Sequence, residues 1–310
     1  MFSPNDDPGG RETESAEAKH LHSNSPDVAR PSDLERASVS LCKLNRSPST
    51  SAVAENATSP QTPRLGPPPP PPKIRLLVSV RNLEEAKVAI AGGVRLVDLK
   101  EPSKGSLAPT SPDIWRSVSE FVTQDAGDHN CAGIDLSIAL GEPDTAVKFA
   151  DQVPRTVRFA KAGLSGLDSA EAVLKFWRLL RAQLPAPVTL VAVAYADYQV
   201  AGTLSPEQVA QLALQFGLRH VLIDTFEKSG GSSLKQLGRQ RLGEFAVAAQ
   251  TLGIWWALAG SIDRQETQSL LKDQVWPDCI AVRGAVCEGD RAGTISPGRL
   301  VGWTSMLNNS

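Results

Sequence analysis

The sequence predicts an α/β fold, a (β/α)8 TIM barrel behind a polar amino-terminal tail. Three observations carry that prediction. From Lys73 to residue 310, short β-branched runs alternate with helical patterns eight times, over a length close to the roughly 250 residues such a barrel needs. Charged residues gather at the carboxyl ends of those runs, the face on which barrels carry their chemistry. No G-x-G-x-x-G follows the first strand, which counts against a doubly wound dinucleotide-binding sheet.

Taken in order, residues 1–72 are rich in Ser, Pro, Asp and Glu and end in six successive prolines at 67–72. Such a segment cannot bury enough apolar surface to offset its ordering entropy, so it reads as a disordered tail with a stiff polyproline spacer. A dispensable extension is the favoured role, a ligand for an SH3-like groove or a membrane tether the alternative. The catalytic domain then runs from 73 to 310. Its strands are expected at 75–80, 95–100, 133–139, 156–161, 188–194, 220–224, 254–259 and 279–283. Helices are expected at 82–92, 111–122, 144–152, 168–184, 205–217, 234–252, 263–272 and 296–308. Ser205-Pro206-Glu207 and Ser111-Pro112-Asp113 each place a cap residue, a proline and an acid where a helix begins. Asp168-Ser169-Ala170-Glu171 is a capping-box-like opening before Val173, Leu174, Trp177 and Leu180.

Composition excludes several function classes. A formal charge of -2 gives no reason to expect nucleic acid as a partner. Cys42, Cys131, Cys279 and Cys287 form no C-x-x-C pair and have no histidines at ligand spacing, so they read as reduced thiols and no metal is expected. His20 and His22 lie in the tail, His129 in a loop and His220 at a strand start, none beside a nucleophile motif. No apolar run reaches membrane-helix length and no signal-peptide layout opens the chain. Asp6, Asp7, Glu12 and Glu14 argue against a mitochondrial presequence. The expectation is a cytoplasmic protein with no membrane partner; its oligomeric state stays open, a homo-oligomer included.

The chemistry centres on Val97-Asp98-Leu99-Lys100-Glu101-Pro102. Period-two alternation puts Asp98 and Lys100 on one face and Val97 and Leu99 on the other. A lysine held among barrel side chains loses solvation of its ammonium, its pKa falls, and it can attack a carbonyl as a neutral amine. The bland reading is a lysine that snorkels into a loop. Lys161 closes strand four, and Asp224 closes strand six with Lys228 four residues on, so three lysines and two acids are expected to converge on one mouth. Neighbouring ammonium groups depress one another's pKa, and the acids can orient them or shuttle protons. Strands seven and eight run into Gly260-Ser261 and Arg283-Gly284. These offer free backbone N–H groups and a guanidinium where barrels often bind phosphate. A phosphorylated small molecule with a carbonyl suits both halves.

The ordered set Val97-Asp98-Leu99-Lys100-Glu101-Pro102, Gly105-Ser106-Leu107, Phe159-Ala160-Lys161-Ala162-Gly163-Leu164, Ala194-Tyr195-Ala196-Asp197, Leu222-Ile223-Asp224-Thr225 with Lys228, Ala257-Leu258-Ala259-Gly260-Ser261 and Val282-Arg283-Gly284-Ala285-Val286-Cys287 resembles the (5-formylfuran-3-yl)methyl phosphate synthases of methanofuran biosynthesis. These are also called 4-(hydroxymethyl)-2-furancarboxaldehyde-phosphate synthases, and the resemblance covers about residues 75 to 310. It implies a barrel lyase that condenses two glyceraldehyde 3-phosphate molecules, with loss of one phosphate and of water, and uses no cofactor. Lys100 matches the Schiff-base lysine, Lys161 the proton-accepting lysine, and Asp224 and Lys228 two further active-site positions. The long tail departs from the archaeal pattern and suggests a bacterium using the cofactor for one-carbon metabolism. Lys104 falls one place from an expected basic residue and receives no role. Two other readings stand beside this one: another class I aldolase-like phosphosugar lyase, and a catalytically silent barrel that acts as an interaction protein through its tail.

Overall fold

The computed structural model describes residues 73–124 and 133–308. The tail expectation, His20, His22, His129, Cys42 and Cys131 lie outside the described residues. Eight parallel strands close into one barrel in sequence order. They are β1 (Arg75–Val80), β2 (Leu96–Leu99), β3 (Asp135–Ala139), β4 (Phe159–Ala162), β5 (Thr189–Tyr195), β6 (His220–Asp224), β7 (Trp255–Leu258) and β8 (Cys279–Val282). Closure comes from β8 pairing back onto β1, with Arg75 opposite Cys279. The helices are α1 (Leu83–Ala91), α2 (Pro112–Gln124), α3 (Pro143–Phe149), α4 (Ala170–Gln183), α5 (Tyr198–Ala201), α6 (Pro206–Phe216), α7 (Ser233–Leu237), α8 (Arg239–Leu252), α9 (Arg264–Lys272) and α10 (Pro297–Asn308).

Alternation along each strand sorts its side chains into two apolar layers. Val97 and Leu99 of β2 and Ala160 and Ala162 of β4 face outward into the layer shared with the helices, where Trp115, Trp177 and Trp303 are buried. Leu77, Leu96, Phe159, Val191, Leu222, Ala257 and Cys279 fill the barrel interior. Its amino end is plugged by aromatic rings: Phe159 stacks on Trp255 at 6.2 Å, and His220 tilts against both. His220 is thereby a packing residue at the end opposite the mouth, and burial lowers its pKa. Cys279, inside the barrel, and Cys287, beyond β8, are free buried thiols.

Helix boundaries follow the local chemistry, with four departures from expectation. Ser205 caps α6 as expected, with Pro206 and Glu207 in its first turn, and forms a full capping box with Gln208. At α4 the cap is Ser169, accepting from Ala172 N–H, and Asp168 lies one place outside. The helix expected over 234–252 is two helices, because Gly238 at φ 79° turns the chain between α7 and α8. Gly is suited to that conformation, which L side chains rarely adopt. The expected 144–152 helix likewise tightens into a 3-10 turn at Ala150–Gln152, and the single turn α5 had no periodic signal long enough to detect.

Candidate active site

Strand β2 turns Asp98 inward, Lys100 follows directly after its last residue, and the barrel register supplies their neighbours. Ser79 of β1, Asp98 of β2 and Ser137 of β3 are consecutive register partners, so their side chains occupy one level. Lys161, from β4, reaches into that level: its ammonium donates to Asp98 Oδ1 and to Ser137 Oγ at 3.0 Å. The second Asp98 oxygen accepts from Ser79 Oγ at 3.1 Å. Each charge in this cage is paired and hydrogen-bonded, the condition under which a barrel can keep ions away from water.

Two residues further along the chain the surroundings change. Lys100 is 9% exposed, and its ammonium has no hydrogen-bond acceptor among the described residues; the nearest acid oxygen is Asp224 Oδ2 at 4.0 Å. Burial brings its pKa down to about 8. Asp224 and Asp98 work against that shift, while Lys228 and Lys161 reinforce it. Asp224 closes β6. Burial by itself would raise its carboxyl, but Lys228 and Lys100 outweigh that and hold it below the ordinary value. Its Oδ1 accepts from Lys228 Nζ at 3.0 Å and from Thr225 N–H at 2.8 Å. Lys228 spends its other two protons on Thr225 O and Oγ1, at 2.8 and 2.7 Å. Asp224 Oδ2 is buried and has no hydrogen-bond partner among the described residues, an open acceptor beside the Lys100 amine.

Lys100, Asp224, Lys228, Gly260, Ser261, Arg283 and Gly284 line one cavity of about 260 Å³ at the carboxyl ends of the strands. Gly260 (φ 82°) and Ser261 (φ 55°) both adopt positive φ, and a Cβ on Gly260 would strike Ser233 Oγ and come within 3.0 Å of the Thr225 nitrogen. The N–H groups of Gly260, Ser261 and Gly284 donate to nothing among the described residues. Asp98 and Lys161 are not in the cavity wall, so the expected single cluster of lysines is split between a lower cage and an upper pocket.

Arg283 requires a correction. Its guanidinium pairs with Glu85, with Nη2 to Oε1 at 3.0 Å, and the remaining N–H groups donate to the carbonyls of Ser79, Arg291 and Gly293. All five donors of an arginine are then used. The free guanidinium expected for phosphate is not available there. Among the described residues no group of three His, Cys, Asp or Glu is placed to hold a metal ion, and no helix is long and apolar enough to cross a membrane.

Residues 76–304 match the family model for 4-HFC-P synthase. The chain belongs to the 4-HFC-P synthase family. It is 35% identical over 226 residues to the (5-formylfuran-3-yl)methyl phosphate synthase of Methanopyrus kandleri, covering 70% of this chain and 91% of that protein. The enzyme of the same name from Methanosarcina mazei is 33% identical, with 72% and 94% covered. Among solved structures, (S)-3-O-geranylgeranylglyceryl phosphate synthase from Thermoplasma acidophilum has a TM-score of 0.51 at 14% identity over 77% of this chain and 94% of that one. That is a likeness of fold alone.

This 4-HFC-P synthase family member also holds polar groups that the sequence reading did not assign. Ser79 and Ser137 are polar residues at inward positions of apolar strands, a signal that becomes legible once the register is known. Tyr195 O–H donates to Glu142, which also accepts from Ser165 N–H at 3.1 Å. Burial raises the Glu142 carboxyl above its ordinary value, and raises the Tyr195 phenol further. Gly163 permits that pair, since a Cβ there would collide with the Glu142 carboxylate and the Tyr195 hydroxyl.

Proposed function

We propose that the chain is a lyase that condenses two glyceraldehyde 3-phosphate molecules to (5-formylfuran-3-yl)methyl phosphate through an imine at Lys100, in methanofuran biosynthesis. The observation that carries this reading is Lys100: a buried amine lowered to about 8, facing a cavity, in a chain of the 4-HFC-P synthase family. A pKa of about 8 leaves roughly one amine in ten neutral at pH 7, against roughly one in 3,000 at the ordinary lysine value. The neutral amine adds to the substrate carbonyl, the carbinolamine loses water, and the iminium withdraws electrons from the adjacent carbon so that its proton can leave.

Asp224 Oδ2, the unpartnered acceptor 4.0 Å from Lys100 Nζ, is suited to take and return protons as the carbinolamine forms and collapses. Lys228 occupies the other oxygen, fixes the carboxylate and keeps it ionised. Lys161, held by Asp98 and Ser137, has one ammonium proton without an acceptor among the described residues and is assigned proton transfer from below. The unpaired N–H groups of Gly260, Ser261 and Gly284 are assigned to substrate phosphate. Mass spectrometry of the protein incubated with glyceraldehyde 3-phosphate, before and after borohydride reduction, tests the reading. A reduced adduct on Lys100 together with the furan product is expected. An adduct with a different product would mean another phosphosugar lyase, and no adduct with no turnover would leave a silent barrel.

A further inference from the structure

A substrate phosphate beside Lys100 calls for a strong counter-charge, and Arg283 has no donor to offer. The chain beyond β8 supplies another. Cys287 and Ile295 form an antiparallel bridge, Glu288 N–H donates to Thr294 O at 2.8 Å, and Ser296 N–H donates to Val286 O at 2.8 Å. Residues 287–295 are therefore a closed hairpin, not a loose loop. Its tip is held by arginines at three consecutive carbonyls. Arg283 donates to Arg291 O at 3.0 Å and Gly293 O at 2.7 Å, and Arg81 donates to Ala292 O at 2.9 Å. Arg283 is anchored in turn by buried Glu85.

The side chain of Arg291 lines the same cavity as Lys100, Gly260 and Ser261. One Nη2 proton donates to Gly105 O at 3.1 Å. The guanidinium has no other hydrogen bond and no carboxylate within ion-pair distance among the described residues. Four of its five donors are unspent, beside a wall whose backbone N–H groups are unspent as well. An arginine aimed by a tethered backbone, steadied at one nitrogen and lacking a counter-ion, fits bidentate capture of a phosphate dianion. We propose that Arg291 is the guanidinium that binds the substrate phosphate, and that Arg283 is a positioning residue which holds the hairpin presenting it. This inference rests on the phosphorylated-substrate reading above.

The test uses the full chain and the variants Arg291→Gln, Arg291→Lys and Arg283→Lys. Inorganic phosphate is titrated by calorimetry, and borohydride trapping is followed against glyceraldehyde 3-phosphate and against glyceraldehyde. Arg291→Gln should weaken phosphate binding about tenfold or more, with Arg291→Lys between it and wild type and neither changing the melting temperature. It should raise the concentration for half-maximal trapping of glyceraldehyde 3-phosphate and leave glyceraldehyde unaffected. Arg283→Lys should weaken phosphate binding together with a lowered melting temperature, because an ammonium offers three donors in place of five and cannot reproduce the guanidinium's fork toward Glu85 and the hairpin carbonyls. Wild-type protein that binds no phosphate, Arg291→Gln that binds it normally, or equal losses for both aldehydes overturns the proposal. Should wild type trap neither aldehyde, the imine reading fails, and the phosphate titration alone decides the role of Arg291.

Discussion

The cage around Lys161 and the pocket around Lys100 are made of the same residue types, yet they treat an ammonium group in opposite ways. Lys161 meets one carboxylate and one serine hydroxyl directly, in a level that Ser79 also braces. Lys100 is also buried, though it borders the cavity, but its ammonium touches no acceptor among the described residues, and the acid facing it stands off at 4.0 Å with its other oxygen already taken by Lys228. The two sites thus differ in what meets the ammonium group at contact distance. At Lys100 burial lowers the pKa, and an acid held off at 4.0 Å opposes that shift without cancelling it.

The substitutions that test this contrast run from total loss to no effect. Lys100→Arg keeps a positive charge but removes the only amine proposed to form an imine, so turnover and the borohydride-trapped adduct should both vanish. An adduct persisting in that variant breaks the contrast outright. Lys161→Arg should cost turnover about 10²-fold or more, as expected for a lost acid–base group, while an adduct still forms on Lys100. Finding that adduct absent would mean both lysines share one job.

Asp224→Asn sharpens the electrostatic side. In wild type the amine must lose a proton to react, so kcat/KM should rise with pH through a limb near 8. Asp224 favours the ammonium form of Lys100; removing its charge lowers that pKa further, and the limb should move to lower pH while the rate falls. A limb that stays put or moves to higher pH would take Asp224 out of the account. The smallest effect is expected from removing the amino-terminal segment. Deleting residues 1–72 should leave melting temperature and turnover unchanged, since β1 begins at Arg75 at the end of the barrel opposite the mouth.

How much of this was readable in the residues depends on the range of the interaction. Strand positions and the shared face of Asp98 and Lys100 followed from short β-branched runs and a two-residue period, which are local. The helix break at Gly238 was local too, but a periodic pattern on both sides of it hid the turn. The saturation of Arg283 could not be read at all, because its partner Glu85 lies 198 positions away and nothing near either residue announces the pair. Arg291 went unassigned for the same reason: what marks it is an absence of acceptors, and that exists only after the fold has placed every neighbour. The Asp98–Lys161 pairing was intermediate, visible as charges on β2 and β4, two strands apart, once the eight strands are closed into a ring.

The two buried thiols bear on chemoselectivity. An aldehyde is attacked by thiolates as readily as by amines, and an ordinary cysteine would be partly ionised at the pH where Lys100 becomes neutral. Burial pushes the Cys279 thiol up to about 12 and raises that of Cys287 as well. The same loss of solvation that strips a proton from an ammonium keeps one on a thiol, because in each case the charged form is disfavoured. Burial thus switches one nucleophile on and the other off by a single physical effect, so that an electrophilic substrate entering the mouth is steered toward hydrolysable carbon–nitrogen bonding and away from hemithioacetal formation on the described cysteines.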